Sequence, residues 1–260
     1  MRRRLRLALF VSIAAPLTAC SWFSSPEETP VRANDPLSEL SASKIYIEKG
    51  VRYMEDGHYD VALQDLKRAV ELDDENSEAY NALGVLYQRV DDYANAEASF
   101  KKAVALKSDN YGARNNYGRF LCGRGRYPEG FAQFQQVIGN KLYPTPWIPL
   151  TNAGICAHAA GKKTDAESYL REALDMQPDF PPALLEMAKL SQEAGQHMSA
   201  RGFLERYFSI AGKTPEALHL GIEIETSMGN LAGAEEYQRA RRHMRVRSPQ
   251  PDASRRLPPQ

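Results

Sequence analysis

Six small residues, Ala62, Ala96, Gly130, Ala166, Ala200 and Ala234, follow one another at intervals of 34, 34, 36, 34 and 34 residues. Four residues after the first five come Leu66, Phe100, Phe134, Leu170 and Leu204, all large and apolar. Three further on stand Ala69, Ala103, Val137, Ala173 and Tyr207. Twelve residues before the small position, the first four units carry Gly50, Gly84, Gly118 and Gly154, and the fifth carries Ala188. A fixed period of this length marks an array of supersecondary units. Each is too small to bury its own apolar face, so it must stack on the next.

The offsets of four and seven belong to one helical face, and no stretch alternates with period two for long enough to argue a strand. Turn signals divide each unit into two helices: Asp56-Gly57, Asp91-Asp92, Arg124-Gly125, Ala160-Gly161, Ala194-Gly195 and Gly229-Asn230. Gly84 and Ala96 read as small because the two backbones approach there, with Tyr87 and Phe100 filling the space beside them. The pattern resembles the tetratricopeptide repeat. It implies an all-α, right-handed superhelix (a solenoid) of about six repeats over residues 43–247. The units read as 43–76, 77–110, 111–146, 147–180, 181–214 and 215–247. In the sixth, Gln238 stands where a large apolar residue is expected, with Tyr237 adjacent, as suits an atypical end unit. The two extra residues of the third unit fall near Lys141-Leu142-Tyr143-Pro144-Thr145-Pro146-Trp147, where two prolines must end a helix. A longer turn with an aromatic plug is the favoured reading of this segment, against a recognition feature.

Outside the array the two ends differ in kind. Residues 1–19 open with Arg2, Arg3, Arg4 and Arg6, continue through an apolar run from Leu7 to Ala15, and end before Cys20. The run is too short to span a bilayer and reads as a signal peptide. Leu17-Thr18-Ala19-Cys20 resembles the lipobox of bacterial lipoproteins, which implies cleavage before Cys20 and acylation of its thiol and new amine. A chance cysteine after an ordinary signal peptide is the competing reading. Ser21, not an aspartate, follows the cysteine, which favours the periplasmic face of the outer membrane. Residues 20–42, rich in Ser, Pro, Glu and Thr, read as a flexible tether, and 248–260 as a disordered tail. Loss of residues 1–19, which contain no acid, leaves 29 basic against 33 acidic side chains. A mildly acidic mature chain offers no electrostatic reason to bind nucleic acid.

No catalytic constellation emerges, and the chain is read as a non-enzyme without cofactors. His58, His158, His197, His219 and His243 lie in separate units without metal-ligand spacing. Gly212-Lys213-Thr214 lacks the upstream glycine and strand of a phosphate loop, and Ser41-Ala42-Ser43-Lys44 is a Ser-x-x-Lys spacing in a linker. With Cys20 assigned to lipid, Cys122 and Cys156 remain, late in the first helices of consecutive units. Either they form a disulfide, as an oxidising compartment permits, or they are two buried thiols that never meet.

The first helices of such a stack line its concave side. Groove-facing positions should then include Ile47, Val51 and Met54, then Asn81, Val85 and Gln88, then Asn115 and Arg119. This set is apolar at the N-terminal end and polar towards the middle, which suits a peptide segment or partner helix. Ile47 and Val51 have a second reading, as packing surface for a neighbouring chain segment.

Together these residues resemble the type IV pilus biogenesis and stability lipoproteins called PilF or PilW. The resemblance is carried by the lipobox, by Tyr46, Gly50 and Tyr53, and by Asn115-Asn116-Tyr117-Gly118 with Phe120-Leu121. Leu142-Tyr143-Pro144 and Ala183-Leu184-Leu185-Glu186-Met187-Ala188 extend it. It implies a pilotin-like role, in which the pilus secretin is helped to reach the outer membrane, multimerise and remain stable. The rival is another repeat lipoprotein scaffold, serving outer-membrane-protein assembly or peptidoglycan enzymes.

Overall fold

A computed structural model describes residues 36–247, with side chains over 42–244. The signal peptide, Cys20, most of the tether and the tail 248–260 lie outside the described residues. The described chain forms twelve helices, which pair as six helix–turn–helix units. They are α1 (Pro36–Glu55), α2 (Tyr59–Leu72), α3 (Ser77–Arg89), α4 (Tyr93–Leu106), α5 (Tyr111–Gly123) and α6 (Tyr127–Ile138). The second half holds α7 (Trp147–Ala159), α8 (Lys163–Met176), α9 (Pro181–Glu193), α10 (His197–Ala211), α11 (Pro215–Ser227) and α12 (Leu231–Arg247). The first helix of units two to six starts at the first residue expected for that unit. The first unit differs: α1 begins at Pro36, inside the expected tether. Asp35-Pro36 is a helix-start signal, and Leu37 and Leu40 continue the apolar spacing of the helix beyond it.

Each turn within a pair has one residue with positive φ, at Gly57, Asp91, Gly125, Gly161, Gly195 and Gly229. Glycine takes this backbone without the Cβ clash that other residues meet, and Asp91 is the single non-glycine there among the described residues. In the first four units the glycine twelve before the small residue faces the large apolar side chain of the second helix. A β-carbon on Gly84 would lie 2.7 Å from the Phe100 ring, and one on Gly118 2.6 Å from Phe134. In the last unit Tyr237 supplies this contact, 2.9 Å from the position of a β-carbon on Gly221, so Gln238 is not needed for it.

Units are joined by a repeated polar clasp. Ser43 Oγ donates to the Ala69 carbonyl and accepts from Asn76 Nδ2; Ser77 Oγ donates to the Ala103 carbonyl and accepts from Asn110 Nδ2. The same two asparagines cap α3 and α5 through their side-chain oxygens. Successive first helices pack on one another (α1 on α3, α3 on α5, α5 on α7, α7 on α9, α9 on α11), whereas second helices pack on their own and the following first helix. That asymmetry bends the stack with the first helices on the inside. At the expansion, Tyr143 sets its ring edge-on to Tyr111 at 5.6 Å and Trp147 packs against the core of the fourth and fifth units. Leu142 stands 91% exposed.

Candidate protein-binding groove

Side chains on the inner layer fall into two kinds of position. One kind lies in the seam between neighbouring first helices. Asn116 Nδ2 donates to Asn81 Oδ1 at 3.0 Å, and Asn152 Nδ2 to Asn115 Oδ1 at 2.8 Å, so asparagines cross-link α3 to α5 and α5 to α7. At the N-terminal end of the inner layer apolar side chains sink into the seam. Ile47 and Met54, expected as groove anchors, are buried in the N-terminal core cluster. Val51 is half-buried and packs against that cluster. The apolar entrance expected at the N-terminal end is therefore corrected: hydrophobic side chains between two packed helices leave water for the seam.

The second kind of position points out of the seam, and its period is visible in the chain: Val85, Arg119, Ile155, Lys189 and Glu223. Val85, Gln88 and Arg119 line a cavity of about 430 Å3 with Arg89 and Asn116. Arg119 also lines the neighbouring cavity of about 500 Å3. Asn115, Thr151 and Asn152 form the polar part of this second cavity, and Ile148, Ile155, Phe180 and Pro182 its apolar walls. Cys122 and Cys156 line it too, joined to each other by a disulfide that ties α5 to α7. Of the expected groove residues, the structure brings Val85, Gln88, Asn115 and Arg119 together and places Asn81 in the adjoining seam. Ile148, Ile155, Phe180 and Pro182 were missed, although Ile155 lies 36 residues after Arg119, one expanded repeat on.

Beyond the apolar pocket the inner face is closed by ion pairs. His158 Nδ1 lies 2.6 Å from Glu186 and Nε2 3.0 Å from Glu193, whose other oxygen meets Lys163 at 2.7 Å. Lys189 joins Glu186 to Glu216 across α9 and α11. Burial pushes the His158 pKa down, but hydrogen bonds and charges from Glu186 and Glu193 outweigh it and hold the imidazolium above its ordinary range. Among the described residues no group of three or more His, Cys, Asp or Glu side chains is placed to hold a metal ion.

Tetratricopeptide-repeat models match residues 50–91, 77–110 and 157–220. The type IV pilus assembly protein PilF of Pseudomonas aeruginosa is 29% identical over 219 residues, covering 84% of this chain and 85% of that protein. The crystal structure of PilW, described as a widely conserved type IV pilus biogenesis factor, superposes with a TM-score of 0.71 at 34% identity. That match covers 79% of this chain and 94% of PilW. The Pseudomonas aeruginosa PilF structure superposes with a TM-score of 0.69 at 26% identity, over 81% and 95% of the two chains. With near-complete coverage of PilW and the same helical repeat along the described length, the chain belongs to the PilF/PilW family of tetratricopeptide-repeat proteins of type IV pilus biogenesis.

Proposed function

We propose that the chain is a pilotin-like lipoprotein. It is anchored by acylated Cys20 to the periplasmic face of the outer membrane, and its groove binds a segment of the pilus secretin while the secretin localises and multimerises. The observation that carries this reading is the match to PilW over nearly the whole of that protein. Physical features support it at each step. A lipidated cysteine at the end of a tether holds the array near the membrane. A rigid stack with an open inner face presents a preorganised surface, which binds without the cost of ordering itself. The groove walls combine apolar side chains with amide and guanidinium groups, a mixture that suits the binding of a protein segment.

The test is a deletion strain in which secretin oligomers are followed by heat-resistant gel migration and located by membrane fractionation. Loss of multimers, or their appearance in the inner membrane, is the expected result, with Cys20→Ala restoring assembly only in part or in the wrong membrane. Unchanged amount and location of multimers would overturn the secretin role and leave a general scaffold in its place.

A further inference from the structure

We infer that the segment held in the groove is acidic and apolar: a carboxylate sits against Arg89 and Arg119, and a large apolar side chain fills the adjoining pocket over the Cys122–Cys156 bond. The inference rests on the protein-binding reading above and specifies its partner.

The two cavities share Arg119, so they form one path from the second unit to the fifth. Neither is lined by an aspartate or glutamate. Arg119 is exposed and has no carboxylate partner among the described residues; Arg89 donates to the Met54 carbonyl at 3.4 Å and likewise has none. Lys49, Arg126, Lys189 and Arg201 each meet at least one carboxylate. Two arginines without counter-charge in a concave surface favour an anion there, and an arginine fork binds a carboxylate through paired N–H groups.

The next pocket asks for the opposite chemistry. Ile148, Ile155, Phe180, Pro182 and the disulfide offer apolar walls. At their edge Asn115 Oδ1 is taken by Asn152 Nδ2. An amide NH2 on Asn115 and a carbonyl oxygen on Asn152 remain to meet the backbone of an extended segment. Farther on, the charges are already paired: Lys189 with Glu186 and Glu216, and Glu223 beside His219. A carboxylate on the ligand is therefore favoured at the Arg89–Arg119 end, where the cations have no counter-charge, with the apolar side chain in the adjoining pocket.

The test uses the full chain in detergent and fluorescence anisotropy. The probes are overlapping labelled peptides of about 15 residues from the pilus secretin of the same genome, long enough to cross two units. A second set of unrelated peptides carries an acidic residue a few positions from Leu or Phe. Neutralising the acid in a binding peptide, or making Arg119→Glu in the chain, is expected to weaken binding about tenfold, and Ile155→Ala similarly. A peptide with Lys in place of its acid should regain affinity for R119E. If secretin peptides bind but ignore charge reversal on either side, the partner chemistry is wrong while the secretin reading stands. If only the unrelated acidic–apolar peptides bind, with the expected losses, the chemistry stands and the secretin reading fails. Absence of binding by both sets overturns the inference. A dimer that R119E dissociates would then identify a second copy of the chain as the occupant.

Discussion

Cys122 and Cys156 are bonded to each other across the seam between α5 and α7, at the floor of the groove. The bond closes a loop with a sequence separation of 34. By the chain-entropy relation such a crosslink restricts the unfolded chain by ~3–4 kcal/mol. Replacing both cysteines with alanine should lower the stability of the array by about that amount, read as a shift of the urea midpoint. The wild-type chain under reductant should shift similarly, and the double variant should not respond to reductant at all. Equal midpoints with and without reductant in the wild type would show that the bond contributes nothing.

The His158 cluster predicts a pH dependence with a definite sign. The folded state raises the His158 pKa above its unfolded value of 6.5, despite burial, through Glu186 and Glu193. Its contribution is therefore fully present below about pH 6.5 and is lost as pH rises through the folded value. Glu193 is held below 4.5 by its hydrogen bonds to Lys163 and His158, so its contribution is present above about 4.5 and lost on acidification. The thermal midpoint should fall on the alkaline side of neutrality in the wild type and be flatter there in His158→Gln. A His158 imidazole titrating by NMR below its unfolded value would contradict the assignment.

The order of the units was legible because packing demands it at short range. Gly84 must be bare where the Phe100 ring lies, and a turn must carry Gly125 or Gly161 where φ is positive, so each leaves a residue-type signature at a fixed offset. The groove was less legible. Whether a first-helix side chain lies in the seam or outside it depends on the rotation of two packed helices, which the period alone does not set. Ile47 and Arg119 thus looked equivalent as inner-face residues, yet one is buried and the other open. The His158–Glu193 contact joins residues 35 apart through a side-chain reach that no repeat position advertises.

The Gly84–Phe100 contact should behave as a coupled pair. Gly84→Ala puts a methyl group 2.7 Å from the ring, so the ring or the helix must move, at a cost of about 1–3 kcal/mol. Phe100→Leu alone removes volume from a fully buried site and should destabilise as well. Together they should cost less than the sum, with a coupling above ~0.5 kcal/mol in a double-mutant cycle of urea midpoints. Strict additivity would mean that the two residues do not share the space between α3 and α4.

The last junction between units is that of α10 with α11, where Glu225 is 2% exposed. Arg201 binds it with two N–H groups, each at 2.7 Å, and Asn230 Nδ2 adds a third hydrogen bond at 2.6 Å. A carboxylate buried this far is tolerated because a guanidinium fork faces it. Removing the fork by Arg201→Met leaves Asn230 alone to hold the charge. Breaking a buried pair from one side costs ~3–5 kcal/mol when both partners are shielded; Arg201 is 30% exposed, so water reduces the loss to about 2–4 kcal/mol. The loss should be local first, because stability in a stacked array is the sum of unit and interface terms. Hydrogen exchange in R201M should accelerate in α11 and α12 before α3 to α6 respond. Adding Glu225→Leu should restore much of the protection, since the stranded charge and not the missing arginine is the main penalty. Uniform acceleration along the whole chain, or no rescue by the second substitution, would show that the Arg201–Glu225 pair is not what holds the C-terminal unit in place.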